Sequence, residues 1–207
     1  MKDLLVFTAD ADAEAVMRSV LKRAQSLNIR TITFDIKRNP LRDSGMVQNG
    51  PELARLERGK FQKILLIWDF HGSGHERRHT PADSQRQIQE RLDGVTWQDN
   101  GCAIVIVPEL EEWLWHNLVS VLQHLRLDVE KFEDWRTSFA LRYKETPENI
   151  HRKAPKELFE FIVREKLRRT ISPRDFEKIA ERASLADWQN SESFAKVAAI
   201  LREWFHT

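Results

Sequence analysis

Five acids and a histidine occupy positions from which chemistry could be done. Asp69 closes the apolar run Ile64-Leu-Leu-Ile-Trp68 and leads into His71-Gly72-Ser73-Gly74-His75. Asp10 and Asp12 follow the apolar run Asp3–Ala9, and Glu109 and Glu111, with Glu112 beside them, follow Gly101–Val107. Carboxylates brought together repel one another, and a cation placed among them relieves the repulsion. Mg²⁺ or Mn²⁺ suits such a set, because hard ions take carboxylate oxygens together with water and phosphate, and then stabilise charge on a reacting phosphoryl group. On this basis Asp10, Asp12, Asp69, Glu109 and Glu111 are candidate metal ligands. Asp69, His71 and Glu111 are the candidate catalytic set, with His71 as acid, base or further ligand. Gly72 and Gly74 allow close backbone approach, and a helix opening near Thr80 would favour an anion.

Each of these residues also has a plainer explanation. Asp after a strand is a common turn residue, and acids in a first helical turn complement the macrodipole, which accounts for Glu109, Glu111 and Glu112 without any site. His71, His75 and His79 recur every four residues as zinc ligands on a helix would, but Gly72 and Gly74 argue against a helix there. Cys102 lies in an apolar run and suits core packing. Trp113, Trp115, Trp135, Trp188 and Trp204 fall in helical or amphipathic patterns that favour packing over base stacking.

What would bring the acids together is the order of elements. Asp3–Ala9 is a strand, and Asp12–Leu27 carries Ala15, Val16, Val20, Leu21, Ala24 and Leu27 at helical spacing. Residues Arg30–Ile36 alternate and are β-branched, which predicts a second strand. Lys37–Gly50, with Pro, Gly, Asn and Asp, predicts a long loop before a short helix opening near Pro51. Ile64–Trp68 predicts a central strand, and Thr80-Pro81-Ala82-Asp83 starts a helix running to about Leu92. Gly101–Val107 predicts the fourth strand and Pro108–Leu125 the helix after it. Beyond Asp128 only helices are predicted, over Lys156–Arg169, Pro173–Arg182 (opened by Ser172-Pro173-Arg174-Asp175) and Ser191–Phe205. The expected fold is α/β: a mostly parallel four-stranded sheet flanked by helices over residues 1–127, with a helical extension over 128–207 packed on it. In a parallel sheet all strand ends share one edge, where ligands bind.

Bulk composition bounds the rest. The 207 residues suffice for a sizeable core; 31% charged with 41% hydrophobic residues is ordinary for a globular chain, and the single cysteine excludes an internal disulfide. No apolar run approaches the ~20 residues of a membrane span, and there is no secretory-type leader, so no membrane association and a cytoplasmic location are expected. A net charge of +1 gives no global attraction to nucleic acid, so any basic surface must be local. Arg77, Arg78, Arg86 and Arg91 form one such region, and residues 152–182 form another, with ten Lys/Arg against six Asp/Glu.

These pieces resemble Toprim-like domains, the parallel α/β module of topoisomerases, primases and related nucleases. The likeness is carried by the strand leading into Asp12-Ala13-Glu14-Ala15-Val16, by Asp69-Phe70-His71-Gly72 where the family has an Asp-x-Asp motif, and by Pro108-Glu-Leu-Glu-Glu-Trp-Leu114. The last is similar to the Pro-Glu-Ile-Glu-x-Trp-Leu signature of small bacterial Toprim-like proteins. The whole chain, including Ala180–Leu185 and Leu201–Phe205, is similar to a small component of the bacterial methylation-associated anti-phage defence system. The resemblance implies a Mg²⁺- or Mn²⁺-dependent nuclease or phosphodiesterase acting on DNA or RNA, with other defence-system proteins as partners. The chain departs from the family in having Thr8 where a catalytic Glu ends strand one, and His71 where a second acid follows Asp69. A catalytically degenerate subunit serving complex assembly or nucleic-acid binding is therefore the alternative. The sequence sets no oligomeric state.

Overall fold

The computed structural model describes residues 1–206. Strands β1 (Lys2–Thr8), β2 (Phe34–Arg38), β3 (Phe61–Asp69) and β4 (Gly101–Ile106) form one sheet in the order β2-β1-β3-β4, with every pair parallel. Helices α1 (Ala11–Leu21) and α2 (Ala24–Leu27) lead from β1 to β2, α3 (Arg42–Arg55) from β2 to β3, and α4 (Pro81–Leu92) from β3 to β4. After β4 come α5 (Glu111–Trp115), α6 (Leu118–Leu125), α7 (Val129–Arg142), α8 (Ile150–Lys153), α9 (Pro155–Glu160), α10 (Pro173–Arg182), α11 (Leu185–Trp188) and α12 (Glu192–Phe205). The expected α/β class with an all-parallel sheet and C-terminal helices is what the chain adopts. Among the described residues no helix is long and apolar enough to cross a membrane.

Side chains alternate across a strand, so each strand feeds both faces of the sheet. Leu4, Val6, Leu65, Ile67, Ile104 and Ile106 point to one face, where α1 and the C-terminal helices share one continuous core. Leu5, Phe7, Leu66, Trp68, Ala103 and Val105 point to the other, beneath α3 and α4. Both faces are covered, which is why these strands read as unbroken apolar runs. The C-terminal helices are tied to α1 through Phe176, Ile179 and Ala180 of α10. In addition, the Arg23 guanidinium donates to the carbonyls of Ala180 (2.9 Å) and Ala183 (2.8 Å), two of the orphan acceptors at the end of α10. Trp113, Trp115 and Trp188 are buried, and Trp135 and Trp204 pack against the same core, as the helical pattern predicts.

Several elements differ from expectation: the helix over Asp12–Leu27 is divided into α1 and α2, that over Lys156–Arg169 is α-helical only to Glu160, α7 forms where none was predicted, and three further departures have a clear cause. β2 runs Phe34–Arg38 and not Arg30–Ile36, because the preceding residues are held by Asp3: its carboxylate accepts from Arg30 (2.6 Å) and from the Thr33 amide (2.7 Å). The predicted helix over Pro108–Leu125 is broken at His116 and Asn117, where the Asn117 side chain caps α6 by accepting from the Ser120 amide (3.3 Å). The predicted loop over Lys37–Gly50 is largely α3, which starts at Arg42 and carries Pro51 inside it. Pro51 has no N–H for the carbonyl four residues earlier. Arg91 of α4 supplies the missing donor, bonding the Val47 and Gln48 carbonyls and pairing with Glu52 at 2.7 Å. Gly45 is required by close approach, since a Cβ there would stand 2.1 Å from the Asn39 side-chain oxygen.

β4 forms an edge of the sheet, and α4 lies along it. Gln89 accepts from the Ala103 amide (2.8 Å) and donates to the Gly101 carbonyl (3.1 Å), while Gln85 accepts from the Val105 amide (3.3 Å).

Candidate active site

From β1 the chain crosses to β2 on one side, and β3 lies on the other. The crevice beyond the C-terminal ends of β1 and β3 is therefore the point where connections diverge and ligands bind in such sheets. Asp10 stands here as the N-cap of α1, with Oδ1 accepting from the amides of Asp12 (3.0 Å) and Ala13 (2.9 Å). Asp69 ends β3. Glu109 and Glu111 follow β4, and both are buried. The fourth strand end, that of β2, contributes Asp43 from the first turn of α3, whose Oδ1 accepts from the Asp69 amide at 2.8 Å.

The acids feel one another's charge. Asp69 titrates well above the usual carboxylate range, first because it is packed away from water, then because Asp43, Glu111, Asp10 and Glu109 surround it. Burial pushes Glu111 up to about 8, with Glu109 and Asp12 adding to the effect. Asp12 rises to about 6 through burial and its neighbour Asp10. Asp43 also rises to about 6 through burial and Asp10, against the lowering effect of its bond from the Asp69 amide. Burial raises Glu109 too. Burial first, with like charges close by adding to it, produces this pattern.

One ammonium is common to the set. Lys156 of α9 acts on Asp12, Asp43, Asp69, Glu109 and Glu111, and its Nζ lies 3.7 Å from Glu109 Oε1. Burial works against the Lys156 charge, but the acids outweigh it and hold its pKa above the ordinary value. The residue is placed by Trp115 of α5, whose indole N–H donates to the Pro155 carbonyl (3.0 Å) and fixes the start of α9 over the turn that carries Glu111. Glu109 Oε2, by contrast, is buried with no hydrogen-bond partner.

The other candidates divide. His71 is exposed beside Glu109, with its amide donating to the Pro108 carbonyl at 3.2 Å. Glu112 turns away from the lip: its Oε2 accepts from Ser191 Oγ (2.6 Å) and its Oε1 meets His116 Nε2. Thr8 is buried and its hydroxyl donates to the Asp10 carbonyl (3.2 Å), so it braces the turn and does not present a ligand. Gly72 and Gly74 have φ of 83° and 84°, which breaks any helix through the histidine repeat. The rings of His75 and His79 instead meet at a tilt, with centroids 4.7 Å apart, and bond Ser84 and Gln87 of α4. Burial pushes the Cys102 thiol up to about 11, as befits a packing residue.

Asp43 and Lys156 are the two site residues that the sequence did not disclose. Asp43 sits in a stretch whose glycines, asparagine and proline read as loop, and Lys156 is one of ten cations in a basic segment with nothing local to single it out. Among the described residues no three His, Cys, Asp or Glu side chains are drawn together as a ready cation shell. The acids line the lip within electrostatic reach of each other, with Lys156 among them. Comparison of this chain with protein-family models, curated proteins and solved structures gives no match.

Proposed function

We propose that the carboxylate lip is the divalent-cation site of a Toprim-like phosphodiesterase or nuclease, working as part of a prokaryotic anti-phage defence system. The observation that carries this is the accumulation of oxygen donors from all four strand ends around Asp69, with a single shared ammonium and with Glu109 Oε2 left unpartnered. The donor set is all carboxylate, the chemistry Mg²⁺ and Mn²⁺ select. Asp69 and Glu111 would hold the ion, with Asp10, Asp12, Asp43 and Glu109 completing its surroundings directly or through water. A bound ion supplies stabilisation of negative charge on a phosphoryl oxygen. Exposed at the rim, His71 would hold or deliver a proton at a leaving oxygen. Lys156, whose side chain is 47% exposed, has room to turn from Glu109 toward a substrate phosphate. The test is calorimetry with Mn²⁺ and a nuclease assay on wild type and Asp69→Ala. Uptake and metal-dependent cleavage by the wild type, both lost in the variant, are expected; cleavage surviving in Asp69→Ala would remove the assignment.

A second function is favoured by two specific observations: Thr8 is consumed by backbone bonding, and Lys156 already provides a cation among the acids. A catalytically silent subunit would keep this lip as a structural or docking element. It predicts no Mn²⁺ uptake, together with co-purification with the products of neighbouring genes.

A further inference from the structure

Cations that the lip does not use form a connected path leading away from it. Arg38 and Arg42 share with Asp10 a cavity of about 720 Å³ at the end of β1. Arg38 then joins Arg18, Arg174 and Lys178 around a second hollow, of about 530 Å³, between α1 and α10. Arg174 and Lys178 continue into a third, of about 550 Å³, closed by Arg126, Arg169 and Arg182. Each hollow shares lining residues with the next, so the three adjoin as an open channel from the end of β1, past α1 and α10, to the junction of α6 with α10.

Helix stability accounts for Lys178, paired with Glu181, and for Arg182 in the last turn of α10, but not for the rest of the arrangement. Arg174, Lys178 and Arg182 recur at i, i+4 and i+8, one stripe of like charges about 6 Å apart along α10, opposite the buried Phe176, Ile179 and Ala180. Like charges at that spacing repel, and Arg174 lies in the first turn, where the macrodipole disfavours a cation. Glu14 neutralises Arg18 (2.7 Å) and Arg38 (3.1 Å), Glu181 pairs with Lys178 (2.6 Å), and Asp175 reaches Arg169 (3.3 Å). Among the described residues Arg126, Arg174 and Arg182 take part in no ion pair and are exposed. In a chain of net charge +1, such local unpaired charge is complementary to an external polyanion. No Phe, Tyr or Trp lines the third hollow, and its one ring, His124, is bonded to Asp175 (2.8 Å), so contact is chiefly through phosphates.

We propose that this channel carries the phosphate backbone of a nucleic-acid duplex, bound without regard to sequence, and delivers one phosphodiester to the lip. Only the delivery rests on the phosphodiesterase function above; the binding stands without it.

The test is fluorescence anisotropy with a 20-base-pair DNA duplex in EDTA, using wild type and the triple variant Arg126→Ala/Arg174→Ala/Arg182→Ala. With about five phosphates contacted, log affinity should fall with log salt at a slope of about −4 to −5, roughly a 500-fold loss from 50 to 200 mM. The triple variant should bind at least about tenfold more weakly, with a slope shallower by about 3. Lysine at the same three positions should restore binding, which separates lost charge from lost fold. Wild-type affinity and slope in the triple variant, or salt-insensitive binding by the wild type, would overturn the channel and leave the lip untouched. Binding as described without any cleavage in Mg²⁺ would uphold the channel and count against the phosphodiesterase.

Discussion

Replacing Glu111 by glutamine tests the electrostatics of the lip without reference to any substrate. In the folded chain Glu111 keeps its proton up to about pH 8, against an ordinary value of 4.5. The folded state thus binds a proton that the unfolded chain has released. Stability from this group is fully present below about pH 4.5 and is lost as pH rises through about 8. Each pH unit in that interval costs about 1.4 kcal/mol, so between pH 5 and pH 8 the loss is about 4 kcal/mol. A carboxamide does not titrate, so Glu111→Gln should be the more stable protein at pH 8 by up to that amount, equivalent to about 8–16 °C in Tm for a chain of this size. At pH 5 the two should be nearly equal. Urea unfolding followed by tryptophan fluorescence at pH 5, 6.5 and 8 measures the difference directly. If the two pH profiles run parallel, the carboxyl is not confined among like charges and the account of the lip fails. Mn²⁺ at pH 8 should narrow the gap by stabilising the wild type alone.

Lys156→Met removes the ammonium shared by the acids; it should lower the urea midpoint at pH 8 and leave it nearly unchanged at pH 5, with a cost of about 1 kcal/mol for this half-exposed group. Gly45→Ala forces its Cβ onto Asn39 and should destabilise by about 1–3 kcal/mol while displacing the turn that holds Asp43, so thermal melting and Mn²⁺ uptake should both suffer. Cys102, with its thiol pushed up to about 11, should resist Ellman's reagent at pH 8 in the native protein and react once the chain is unfolded in guanidinium.

The sheet and the strand-end acids were legible because they follow from local pattern. Apolar runs mark doubly covered strands, and in a parallel sheet each run ends at the same edge, so Asp10, Asp69 and Glu111 share a neighbourhood through topology alone. The cap signals Thr80-Pro81 and Ser172-Pro173 open α4 and α10 as read, because capping is decided within four residues. The first two turns of α3 were illegible for the opposite reason. Gly45, Asn49, Gly50 and Pro51 are poor helix residues, and the helix is held from outside, by Arg91 across the gap left by Pro51 and by Asn39 beneath Gly45. Asp43 went unseen with it. The part played by Lys156 depends on a helix arriving from the far end of the chain, and Glu112 was lost to Ser191 in the same way.

The amide pairs that Gln85 and Gln89 set against β4 have a bearing on how this molecule behaves at high concentration. A bare outer strand is a template on which another chain can crystallise into a growing ribbon. Here two glutamine carboxamides impersonate the absent neighbour, so the sheet looks finished from that side. The opposite margin is guarded by other means, since β2 is five residues long and carries Lys37 and Arg38 in pairs with Glu57 and Glu14. Alanines at positions 85 and 89 would leave the Gly101 carbonyl and the Ala103 and Val105 amides without these partners, with α4 itself as the remaining cover of that border.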